Sequence, residues 1–169
     1  MKKLFLPLLL LAACQQQGGQ SGGNEAASKQ ASREPAQPPR LGTLVGLYEG
    51  GQGSPRHQMC VVEGKGGEAR FGLVVWGGHM HSCSGAGTLD KNGDKLRLAM
   101  AGDSACTIEA TISGKTVRLP EKTPPGCAYY CGARASLGGA ELTQTGTTEA
   151  DAMKAKDLAG DPLCATERR

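Results

Sequence analysis

The chain has 169 residues, 26 of them glycine, with 4% aromatic side chains and a formal charge of +3. That length suits one domain, and the near balance of charge gives no electrostatic footing for nucleic acid. So few large side chains mean a small core, and small exported cores rely on covalent staples.

Met1-Lys2-Lys3 is a short basic start, Leu4 to Leu11 is apolar, and Ala12-Ala13 are small. This is the pattern of a secretory signal peptide over residues 1–13. The apolar run is far shorter than the roughly 20 residues of a spanning helix, and Pro7 weakens it further as a helix. Leu11-Ala12-Ala13-Cys14 resembles the lipobox of bacterial lipoproteins. The resemblance implies that the Cys14 thiol is diacylated and that Cys14 becomes the first residue of the mature chain. Each buried methylene contributes ~0.8 kcal/mol, so two or more chains hold stably where one does not. Gln15 follows where an Asp would favour inner-membrane retention. The resemblance therefore implies a lipid-anchored protein of the outer membrane, facing the periplasm or the exterior.

Seven cysteines are present: Cys14, Cys60, Cys83, Cys106, Cys127, Cys131 and Cys164. If lipid takes Cys14, the odd count becomes an even six. In an oxidising compartment six cysteines read as three disulfides, with 15 connectivities open. Cys127 and Cys131 are close in sequence; the expectation is that each ties its segment to a different element.

Residues 14–42 read as a lipidated, flexible tether of Gln, Gly, Ser, Glu, Lys and Pro, without apolar periodicity. About 26 such residues average roughly 25–30 Å end to end. Residues 43–143 read as an antiparallel β domain. Leu44 to Tyr48 opens a strand, Met59 to Glu63 is a second, and Ala69 to Trp76 is the third and most apolar. Ser84 to Asp90 and Lys95 to Met100 flank Asn92-Gly93, the strongest short hairpin signal, whose two turn residues are both expected at positive φ. Leu96, Leu98 and Met100 alternate with Lys95, Arg97 and Ala99, and Cys106, Ile108, Ala110 and Ile112 alternate again. Ser113-Gly114-Lys115 turns the chain and Thr116 to Leu119 returns. Ala133 to Leu142 reads equally as strand or irregular turn.

Residues 144–169 read as a helix and a disulfide-pinned tail. Thr148-Glu149-Ala150-Asp151 fits a capping box, Ala150 to Ala159 a short helix, and Gly160 with Pro162 its stop. Leu163-Cys164 would then pin the tail to the sheet. The expected fold is mainly β: a small antiparallel meander or barrel-like domain with three disulfides and a short C-terminal helix.

Two stretches carry candidate sites. On a strand, His79, His81 and Cys83 would share one face and could meet copper or zinc, with Met80 nearby. The bland alternative is a polar loop, because Cys83 is also needed for a disulfide. Tyr129-Tyr130, between two cysteines, reads either as an aromatic patch for a partner or glycan or as packing on the disulfides. No Gly-x-Ser-x-Gly elbow or helix-opening glycine loop appears, so the expectation is a non-enzyme.

Cys83 to Gly87, Pro125 to Cys131 and Gly160 to Cys164 resemble segments of proteobacterial lipoproteins that carry no activity to transfer. In size, export and β pattern the domain is also similar to small-barrel periplasmic lysozyme inhibitors. That resemblance implies a binding module whose partner is lysozyme or an envelope protein; no inhibitory residue matches, so no site is carried over. The alternatives are an envelope metal-binding protein using His79 and His81, or a structural envelope component.

Overall fold

Alternation of apolar and polar residues, broken by short glycine turns, lays down eight strands. The computed structural model describes residues 41–164. The expected signal peptide, Cys14 and nearly all of the expected tether lie outside the described residues. The strands are β1 (Gly46–Gly50), β2 (His57–Glu63), β3 (Ala69–Trp76), β4 (Ser82–Asn92), β5 (Lys95–Met100), β6 (Thr107–Ser113), β7 (Thr116–Arg118) and β8 (Glu141–Gly146). Each pairs antiparallel with the next, and β8 returns to β1, so the meander closes into a barrel. Closure leaves no unpaired sheet edge.

Inward positions hold Tyr48, Met59, Phe71, Leu73, Leu98 and Leu142, all buried in one core. No polar or charged residue is buried among the described residues; the buried hydroxyl of the core belongs to Tyr48. That hydroxyl donates to the Leu44 carbonyl at 2.8 Å, and burial pushes its pKa up to about 12. The barrel is filled by its own side chains, as eight-stranded barrels commonly are.

The β4–β5 and β6–β7 hairpins each turn on two residues, Gly93-Asp94 and Gly114-Lys115. Only the glycines take positive φ, 63° and 58°. The expectation of two positive-φ residues at Asn92-Gly93 is thus corrected: the loop sits one residue later, with glycine in its first position.

β8 answers the stretch left open in the sequence, and it runs past residue 143, where the tail was expected to begin. Its only large inward side chain is Leu142, and Glu141, Thr143 and Thr145 face solvent. Pairing on both flanks holds it. Thr143 meets Thr116 hydroxyl to hydroxyl at 3.0 Å, and Glu141 pairs with Arg118 at 2.7 Å.

The C-terminal helix is shorter than the sequence suggests. α1 spans Glu149–Ala152 only, with the capping box formed by Thr148 and Asp151. Hydrogen bonds from Lys154 and from Thr148 hold the Asp151 carboxyl down at about 2. Beyond α1 the chain doubles back. The Asp157 carboxylate accepts the Ala159 and Asp161 N–H groups at 2.8 and 2.9 Å, and Leu163 N–H returns to the Ala155 carbonyl at 2.9 Å. An Asp satisfying nearby backbone donors competes with helix. Gly160, at φ 87°, serves this reversal rather than a helix stop.

The reversal builds a second, smaller core outside the barrel wall. Leu47, Cys60 and Val62 face outward from β1 and β2, and Ala152, Ala155 and Cys164 cover them. The small alanines let the tail come close. Gly72 on β3 provides a notch for it: a Cβ there would lie 2.7 Å from both the Leu163 Cγ and its carbonyl oxygen.

Candidate functional site

The disulfides are Cys60–Cys164, Cys83–Cys131 and Cys106–Cys127. Cys127 and Cys131 therefore go to different partners, one ahead of β6 and one on β4. Pro125–Tyr130, which contains Cys127 and ends just before Cys131, forms a 3₁₀ helix at the mouth of the barrel where β4 and β6 begin. Gly132 N–H donates to the Ser82 carbonyl at 2.9 Å and fixes the far end. The two tyrosines of this segment take different roles. Tyr130 turns inward against Gly85, where a Cβ would lie 2.8 Å from the Tyr130 Cδ1. Its hydroxyl is buried without a hydrogen-bond partner. Tyr129 stands out into solvent, 78% exposed, with its ring at right angles to that of Tyr130 and centroids 5.3 Å apart.

The β3–β4 loop lies beside it. Gly77 N–H donates to the His81 carbonyl at 2.7 Å and closes the loop. His79 and Met80 both take left-handed backbone conformations, with φ of 55° and 63°. Two successive non-glycine residues there are costly, and such strain concentrates at functional sites. Met80 is 67% exposed. The third contributor is Leu158, 55% exposed, on the reversal of the C-terminal tail.

Met80, Tyr129 and Leu158 are the exposed large hydrophobic side chains among the described residues, and all three line one groove of about 550 Å³. His81, Ser82, Ser84 and Gly132 line it with them. The groove thus unites the two stretches singled out in the sequence. Leu158 was not foreseen, because the sequence placed it inside a helix; only the tail reversal brings it here.

The shared strand face expected to bring His79, His81 and Cys83 together is not formed. His79 and Met80 belong to a left-handed turn rather than to a strand, so the alternation through residues 79, 81 and 83 does not exist. Cys83 is fully buried in its disulfide and offers no thiolate. Among the described residues no group of three His, Cys, Asp or Glu side chains converges.

His57 lies at the start of β2. Its Nδ1 accepts the Trp76 N–H at 3.0 Å, which requires the neutral ring with the proton on Nε2. Partial burial holds its pKa below 6.5. Below that value the unfolded chain binds a proton that the folded chain resists, so this contribution to stability is complete above about pH 6.5 and is lost as pH falls. We expect the urea midpoint to drop between about pH 7.5 and pH 5. It should drop less in His57→Gln. Equal pH dependence in the two proteins would remove His57 as the cause.

Compared with known protein families, with curated proteins and with solved structures, the chain matches no family model, no curated relative and no solved structure.

Proposed function

We propose that the protein is a lipid-anchored, non-catalytic binding module of the cell envelope, held in the outer membrane through Cys14, with the Met80–Tyr129–Leu158 groove as its contact surface. One observation carries the binding reading. Three large apolar side chains from three separated segments stand exposed, and they converge on one concavity. Scattered exposed apolar residues need no explanation, but a cluster does. Tyrosine and methionine are also the types enriched where proteins contact partners. The groove is held rigidly: two disulfides grip the Tyr129 segment, and a third holds the tail that carries Leu158. Preorganisation of this kind reduces the ordering cost of binding.

The anchor reading rests on Leu11 to Cys14 and on the cysteine ledger. Six cysteines pair internally, and Cys14 is the seventh. The test uses the exported chain carrying Cys14→Ser, so that it is soluble, against cell-envelope extract. Met80→Asp with Leu158→Asp introduces two charges at exposed sites, so the fold should survive. We expect an envelope component to be retained by the first protein and lost by the second. Identical retention by both would sink the groove as the contact surface.

A further inference from the structure

The binding reading leaves the ligand open, and resting on that reading we infer that the groove takes an uncharged N-acetylated glycan chain, with Tyr129 as the platform for a sugar ring. Four observations narrow the choice.

The first is charge. No Asp, Glu, Lys or Arg lines the groove; its polar groups are the Ser82 and Ser84 side chains, His81, the Tyr129 hydroxyl and the backbone around Gly132. An anionic phosphate, an acidic peptide or a polybasic segment would find no opposite charge there, whereas a neutral ligand loses nothing by entering.

The second is shape. The groove is a shallow, open depression of about 550 Å³, and its shape suits a ligand that lies along the surface.

The third is the pairing of chemistries. A sugar ring has an apolar C–H face and a rim of hydroxyls. The exposed Tyr129 ring suits the face, and the serine hydroxyls suit the rim. The methyl of an acetamido group suits Met80 and Leu158, and its amide can exchange hydrogen bonds with a serine.

The fourth is position. The chain enters the barrel at the pole made by the turns at 64–68, 93–94 and 114–115, while the loops at 77–81 and 125–132 form the opposite pole. The loops that carry Met80 and Tyr129 therefore lie at the pole opposite the start of β1. The chain's own residues 15–40 contain no Val, Ile, Leu, Met, Phe, Tyr or Trp that could fill it.

The experiment titrates the Cys14→Ser chain calorimetrically with a soluble N-acetylglucosamine oligosaccharide. It compares Tyr129→Ala and Tyr129→Phe, with the unfolding midpoint checked for each. Saturable binding is expected, weakened about tenfold or more by Tyr129→Ala and kept by Tyr129→Phe, since the ring supplies the contact. Absence of binding, or binding indifferent to Tyr129→Ala, overturns the glycan. If the oligosaccharide fails while retention of an envelope protein still depends on Met80 and Leu158, the glycan inference falls and the binding module stands. If both fail, both readings fall together.

Discussion

Replacing Cys60 and Cys164 together by alanine should lower the stability of the folded domain by about 4 kcal/mol. The bridge closes 104 residues of chain. In the loop-entropy account a closure of that length removes roughly 4.7 kcal/mol of disorder from the unfolded state, against about 3 kcal/mol for a loop near 15 residues. The other bridges close 48 and 21 residues. Urea unfolding of the three paired variants should rank them in the same order, with Cys60–Cys164 the costliest to lose. The folded state changes in the same direction. Without the bridge, Ala152, Ala155 and Leu163 lose their hold on the outer wall, and Leu47 and Val62 are uncovered. The tail should then be cut first in limited proteolysis, while the strand signal in circular dichroism persists. If the variant with the shortest loop were the least stable, the ordering of the tail would not be governed by chain entropy.

The second large effect is all-or-none. On the proposal that Cys14 carries the lipid anchor, Cys14→Ser should move the protein from the detergent-dependent membrane fraction to the soluble one, because a hydroxyl would replace the thiol that the lipid requires. Two or more acyl chains give stable attachment, and none gives none. The unfolding midpoint of the soluble domain should not change, because the six other cysteines are already paired among themselves. Membrane association that survives the substitution would remove the anchor from Cys14.

The legibility of the barrel in the sequence follows from how much each strand buries. β3 carries Phe71, Leu73, Val74 and Val75, interrupted only by Gly72, and its limits, Ala69 to Trp76, stand in the sequence as they stand in the fold. β5 alternates cleanly, with Leu96, Leu98 and Met100 inward. β8 does not show itself, because one leucine among threonines carries little pattern. Its place is decided by two neighbours far away in sequence, β1 and β7. Closure is therefore a property of the whole chain and not of any segment. The helix was over-read for a related reason. Ala152 and Ala155 have helical spacing, but α1 ends at Ala152, and the turn after it brings Ala155 into the same cluster with Cys60. The hydrogen bonds of Asp157 then redirect the chain. The groove was half visible: the tyrosines and the 77–81 loop were singled out by composition, whereas their proximity depends on the Cys83–Cys131 bridge and Leu158 on the reversal.

The segment gripped by Cys127 and Cys131 has one further consequence. Its ends are fastened to the barrel, Tyr130 is committed to the mouth, and Ala128 and Tyr129 face outward. Those two positions form a cassette. On the proposed binding reading, exchanging them would alter the contact surface while the load on the scaffold stays the same, because both side chains are exposed. Diversity can therefore accumulate at that point faster than the rest of the chain would tolerate, and a laboratory library randomised at 128 and 129 would explore new ligands on an unchanged frame.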